Sequence, residues 1–118
     1  MNLYKLHTHP EELAKYMEPT KEITDDGSII TRINGLNHSI DGNPATSWTN
    51  GTKKWFSHGR LHRVDGPAVI WDDGSEVWMI QGKRHRKDGP AVIDADGDGE
   101  WFLNGRNYEK AEWEQKIK

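Results

Sequence analysis

The chain contains no cysteine among its 118 residues, so neither a disulfide framework nor a thiolate metal site can hold it together. It is also poor in apolar residues, with 33% hydrophobic against 30% charged. That balance excludes a deep layered core and points to a thin structure, one sheet with a covered face. No apolar run approaches the roughly 20 residues of a membrane-spanning helix. Nor is there an excess of positive charge: the formal net charge is −3, which argues against a nucleic-acid or anionic-membrane partner. Met1 to Pro10 lacks the apolar centre of a secretory signal. These absences lead to the expectation of a single-domain, cytoplasmic protein with no cofactor.

Tryptophan supplies what aliphatic residues do not. The chain has six, and five of them recur in phase. Trp55-Phe56-Ser57-His58-Gly59-Arg60-Leu61-His62-Arg63-Val64-Asp65-Gly66-Pro67-Ala68-Val69-Ile70 repeats 23 residues later as Trp78 to Ile93. A third start, Trp101 to Tyr108, keeps the offset and then departs, with Tyr108 in the histidine position. An earlier copy is slipped: Asn34-Gly35-Leu36-Asn37-His38 lies 24 residues before its counterpart, and an insertion at Asn43 restores the phase, so that Trp48 aligns with Trp71. Such periodicity marks an array of stacked units. The copies span about 26–49, 50–72, 73–95 and 96–107, within a region covering 23–107.

Each copy carries its own turns. Asn50-Gly51, Asp73-Gly74 and Asp96-Gly97 recur at one phase; Asn34-Gly35, His58-Gly59, Gln81-Gly82 and Asn104-Gly105 recur at another. These pairs suit hairpin turns with positive φ. Asp65-Gly66-Pro67 and Asp88-Gly89-Pro90 read as a third turn, with proline at a strand start or edge. The short segments between, near 28–33, 52–57, 60–63, 68–71, 75–80, 83–86, 91–94 and 98–103, predict strands. The expected fold is mainly β: an antiparallel meander of about four 23-residue hairpin units forming a single elongated, twisted sheet. Trp55, Trp78 and Trp101 should form one aromatic ladder along it, and Trp48 and Trp71 a second.

The ends do not repeat. Over residues 1–22, Leu3, Tyr4 and Leu6 suggest a strand, Thr8-His9-Pro10-Glu11 a capping box, and Leu13, Tyr16 and Met17 one face of a helix that Pro19 ends. At the other end, over 108–118, Asn107 is placed to cap a helix that packs through Ala111 and Trp113. Both helices are expected to cover the ends of the array.

The unit resembles the MORN repeat family in its 23-residue period and in Trp78, Gly82 and His85, although Arg86 stands where that family has glycine after histidine. It is more similar to the H-R-x-D-G-P-A repeats of small proteins of tailed phages and giant viruses, a pattern carried by His62 to Ala68 and His85 to Ala91. The resemblance covers about residues 27–113. It implies an extended β-meander and a phage-like origin, and it implies a scaffold for binding rather than a reaction.

The chemistry-bearing residues fall in the repeat. His62 and His85 each precede an aspartate by three positions, raw material for a general base. Repetition in phase favours a structural pair instead, the histidine packing on a neighbouring tryptophan and bonding that aspartate. No nucleophile recurs, so no catalytic set is assigned. Asp94-Ala95-Asp96-Gly97-Asp98-Gly99-Glu100 resembles the start of a calcium loop, but Gly105 stands where the closing glutamate is needed. His7-Thr8-His9 has the spacing of a metal pair without further ligands. Neither is taken as a metal site. Arg63 and Arg86 remain, as a repeated cationic row beside Trp55, Trp78 and Trp101; with His62 and His85 these form the candidate binding residues. Lys53, Lys54, Arg60 and the run Lys83 to Lys87 extend the basic strip, able to hold an acidic protein surface, a nucleotide or a single strand. The expected function is a non-enzymatic module, a phage accessory protein that binds and modulates or inhibits a host defence protein. Alternatives are sequestration of a nucleotide-like anion against the Arg and Trp rows, and a small hydrolase or nuclease using the His/Asp pairs. A thin sheet with one apolar face also allows a homo-oligomer.

Overall fold

The computed structural model describes residues 18–118, and the N-terminal strand, capping box, helix and His7-Thr8-His9 motif expected before that lie outside them. The described chain forms an elongated, antiparallel β structure closed by a C-terminal helix. Its extents are 54 × 35 × 19 Å and its radius of gyration is 17.4 Å; a compact domain of about this length would have roughly 13 Å. The thinness follows from the composition.

Ten strands form the main sheet: β1 (Thr20–Ile23), β2 (Ile29–Ile33), β3 (Leu36–Asn37), β4 (Thr46–Ser47), β5 (Lys53–Lys54), β8 (Val69–Ile70), β9 (Glu76–Val77), β12 (Val92–Ile93), β13 (Gly99–Leu103) and β14 (Arg106–Tyr108). Two short hairpins stand beside it: β6 (Phe56–Ser57) with β7 (Arg60–Leu61), and β10 (Met79–Ile80) with β11 (Lys83–Arg84). The strands expected over 52–57 and 75–80 are therefore each broken, at Trp55 and Trp78. The reason is that these residues serve two ladders. Trp55 N–H donates to the Ala68 carbonyl at 2.7 Å, while its own carbonyl accepts from His62 N–H at 3.0 Å. Trp78 does the same with Ala91 at 2.6 Å and His85 at 3.1 Å. In the slipped copy Thr31 takes this place, donating to Ala45 at 2.7 Å.

The hairpins are not isolated from one another. Gly59, Gly82 and Gly105 donate to the carbonyls of Asn37, Leu61 and Arg84, each seating a turn on the strand of the preceding copy. At those turns the residue before glycine also has positive φ, from 49° to 54° at Asn34, His58, Gln81 and Asn104. That is the geometry expected of tight hairpins, and His58 and Gln81 adopt it at a conformational cost that asparagine largely avoids.

The core is shallow. Ala45, Ala68 and Ala91 are fully buried, each between the Trp or Thr of its own copy and the strand of the next; Val69, Trp55, Phe102 and Trp113 complete it. One additional element was legible but missed. The turn Thr24-Asp25-Asp26-Gly27-Ser28 makes the same pair of backbone bonds as Trp71-Asp72-Asp73-Gly74-Ser75, so β1 is the counterpart of β4, β8 and β12. The string Asp-Asp-Gly-Ser occurs at both places.

The C-terminal helix spans Lys110–Lys116, and its N-cap is Glu109, not Asn107. Asn107 and Tyr108 instead belong to β14, where Tyr108 pairs with Trp101. Hydrogen bonding to β13 outcompetes helix formation there, and the helix starts two residues later than the sequence suggests. Trp113 is buried; Ala111 is exposed.

Candidate functional site

The Asp-Gly-Pro-Ala segments cross over the tryptophans, and the arginines hold them there. Arg63 stacks its guanidinium 3.9 Å from the Trp55 ring centroid. Its Nε donates to Asp65 at 3.2 Å and one Nη to the Pro67 carbonyl at 3.2 Å. Arg86 repeats the arrangement: 3.8 Å from the Trp78 centroid, 2.8 Å to Asp88 and 3.0 Å to the Pro90 carbonyl. This clamp explains the glycine. A Cβ on Gly66 would lie 2.7 Å from the Arg63 guanidinium carbon, and one on Gly89 would lie 2.9 Å from that of Arg86. Gly66 and Gly89 are thus required by close approach, not by positive φ, and the turn expected at Asp65-Gly66-Pro67 is a loop fastened by a side chain. In the slipped copy Thr31 and Ser39 replace the Trp and Arg together, so ring and clamp are lost as a pair.

The two ladders are in phase, but among the described residues their tryptophans meet cations rather than each other. Trp55 and Trp78 carry Arg63 and Arg86. Trp101 has no arginine and instead meets Trp113 at 6.3 Å, with Lys110 over its ring at 5.7 Å. Lys54 sits between Trp48 and Trp71, 5.2 and 4.9 Å from their rings. A cation against an indole face is worth about 0.5–2 kcal/mol depending on desolvation. Most of this stacking therefore serves the fold.

The histidines are also committed, though not to the aspartates. His62 Nδ1 accepts from the Gln81 N–H at 2.9 Å, and His85 Nδ1 from the Asn104 N–H at 2.9 Å. His38 Nδ1 accepts from the His58 N–H at 3.1 Å. Each histidine caps the hairpin turn of the following copy, where a strained turn leaves an amide to be satisfied. The aspartates bond arginine instead.

Burial, and then the charge of Lys87, holds His85 below the ordinary imidazole value; burial, and then His58, does the same for His38. The bond from Arg86 keeps Asp88 below the usual carboxylate range. The unfolded chain binds the imidazole proton more readily, so the stability the histidines contribute is present above the unfolded value of about 6.5 and is lost as pH falls through the lower folded values. Protonation also puts a hydrogen on the nitrogen that must accept. Thermal melts should therefore show a falling midpoint from about pH 7 to about 5, a window above the carboxylate range. His85→Gln, whose amide oxygen can accept the same bond without titrating, should flatten that slope; an unchanged slope would show that the cap is not pH-sensitive.

Between consecutive loops lies a groove of about 430 Å³. It is lined by Arg63 and Val64 from one loop, by Trp78 and Ile80, and by His85, Arg86, Lys87 and Asp88 from the next loop. Val64 is 78% exposed, an apolar side chain held outward at the lip. The structure thus gathers Arg63, Trp78, His85 and Arg86 from the candidate set around one depression. His62, Trp55 and Trp101 are not among its lining residues, and Trp55 is buried. Val64 was not singled out in the sequence; an apolar residue between His-Arg and Asp-Gly-Pro was the available signal. Elsewhere on the array, Trp48, Lys54 and Trp71 help line a smaller depression of about 190 Å³. No group of three His, Cys, Asp or Glu side chains suited to a metal occurs among the described residues, and Asp94 spends its Oδ1 accepting from the Asp96 and Asp98 amides. No family model matches the chain, and no curated protein or solved structure matches it either.

Proposed function

We propose that this chain is a non-enzymatic protein-binding module, built of stacked 23-residue units of the phage and giant-virus type, whose groove between the 62–67 and 85–90 loops docks a host protein and modulates it. The observation that carries this reading is the exposed Val64 beside a groove whose histidine and arginines already have folding partners. Two guanidinium donors of each arginine are already engaged by the chain's own aspartate and proline carbonyl, which favours a protein surface over a sequestered nucleotide-like anion. The Nδ1 of each repeated histidine accepts a backbone bond, which favours binding over acid–base chemistry. A rigid floor with a few apolar anchors is how a small surface achieves affinity.

The test is comparative capture from host lysate. Wild-type chain and Val64→Asp, which places an unpaired charge at the lip without touching the core, are immobilised in parallel. A saturable protein retained by the wild type and lost, by about ten-fold or more in affinity, with Val64→Asp supports the groove. Equal retention by both, or none by either, overturns it.

A further inference from the structure

The topology sorts charges that the sequence order mixes. Each long strand runs from one type of turn to the other, so the two sets of turns close opposite edges of the array. The turns 24–28, 48–52, 71–75 and 94–98 hold Asp25, Asp26, Asp72, Asp73, Asp94, Asp96 and Asp98, and no cation. The hairpin tips 32–37, 56–61, 79–84 and 102–107 hold Arg32, Arg60, Lys83, Arg84 and Arg106, and no carboxylate.

Arg32 is paired with Glu22 at 2.7 Å. Arg60, Lys83, Arg84 and Arg106 are exposed, and none makes an ion pair among the described residues. Arg60, Lys83 and Arg106 occupy the same position after the turn in successive copies, and the bonds from Gly82 and Gly105 to the preceding strand set them side by side. Two strand spacings separate neighbours, about 10 Å. That is close to the screening length of roughly 8 Å at physiological salt, so their fields overlap along the edge.

We infer that this hairpin edge is the docking surface for an acidic protein segment, whose successive carboxylates meet Arg60, Lys83 and Arg106. This names the chemistry of the partner and rests on the protein-binding reading. A single nucleic-acid strand would need aromatic platforms beside the cations. On this edge Phe102 is buried, Phe56 is half-buried, the exposed His58 stands edge-on to His38 and Tyr108 lies under Arg106, while the exposed Trp71 belongs to the acidic edge. The rings of the edge are thus covered or already engaged, and what it presents outward is mainly charge. Charge of this kind guides encounter and selects partners more than it supplies affinity, and the groove beside it, lined in part by Ile80, provides the apolar contact.

The probe is poly-L-glutamate, titrated into ¹⁵N-labelled protein at low and at physiological ionic strength, with oligo-dT in parallel. Salt-sensitive shifts confined to 56–61, 79–84 and 102–107 are expected. The triple variant Arg60→Glu, Lys83→Glu, Arg106→Glu should weaken binding by about ten- to hundred-fold, and Asp72→Lys with Asp73→Lys should not weaken it. A Gln triple variant serves if the Glu one does not fold. Absent or scattered shifts, or tighter binding of oligo-dT, would overturn the inference. Should poly-glutamate miss the edge while Val64-dependent capture persists, the inference alone fails. The reverse pattern sinks the groove and leaves the edge.

Discussion

Trp113→Ala should destabilise the protein by about 3–5 kcal/mol, the range for removing a large buried ring, and lower the melting midpoint by something on the order of 20 °C for a chain of this size. Trp113 is the buried residue of the C-terminal helix. Its indole packs against Trp101 and donates from Nε1 to the Arg86 carbonyl at 3.0 Å. The same position in the two preceding copies is filled by a guanidinium on a tryptophan. The last copy has Glu109 where arginine would be, so the helix supplies by packing what the loop supplies elsewhere by charge. A seven-residue helix is too short to persist alone in water. Without Trp113 it should detach, exposing Trp101 and β13. Because contacts in such an array run between neighbours, the damage should begin at that end. Hydrogen exchange after the substitution should accelerate first across 99–108 and last across 20–47, the far end of the sheet. Uniform acceleration, or a midpoint within a few degrees of wild type, would show that the helix does not close the array.

The contrast between this helix and the rest shows what was legible in the residues. Turns were legible because they are local: an Asn-Gly or Asp-Gly pair carries its backbone preference with it. The phase of Trp, Gly and Ala was legible because it recurs. Contacts that link copies were not. Nothing near His85 in sequence announces that its Nδ1 accepts from the Asn104 amide, 19 residues on, and the nearer Asp88 is instead held by Arg86. The recurrence of the tryptophans was legible, but the stacking expected along each ladder is replaced by cations over the rings, since tandem phase fixes where a tryptophan recurs and not what lies over it. The slipped copy shows the limit of alignment most clearly. Asp41-Gly42 aligns with Asp65-Gly66, yet Asp41 and Gly42 both have positive φ, at 54° and 80°, and form a tight turn of their own. The groove was half legible: Arg63, Trp78, His85 and Arg86 could be nominated by recurrence, whereas Val64 matters because it differs from Lys87, its counterpart.

That slipped turn sets up the second large effect. Trp55→Ala should cost about 3–5 kcal/mol, while Trp55→Phe should cost about 1 kcal/mol and Trp78→Phe little or nothing. The ring of Trp55 is buried beneath Arg63, and its Nε1 donates to the Gly42 carbonyl at 3.0 Å. The inserted residue in the slipped copy is what brings that carbonyl within reach. The regular loop before Trp78 has no insertion, and the buried Trp78 Nε1 has no partner among the described residues. Truncation to alanine removes the apolar area and also strands a guanidinium that had an indole face to lie on, so the loop to Pro67 loses its fastening. Phenylalanine keeps a six-membered face for the guanidinium and loses the pyrrole part of the indole together with its donor. At position 55 this breaks a made hydrogen bond, although the exposed Gly42 carbonyl can turn to water, which keeps the loss modest. At position 78 it removes a desolvated N–H that contributes nothing, and the change can be neutral or stabilising. Urea unfolding of the three variants decides the matter. An equal cost for the two phenylalanine variants would mean that the Gly42 bond carries no weight, and a Trp55→Ala cost near that of Trp55→Phe would mean that the clamp, not the ring, holds the array at this point.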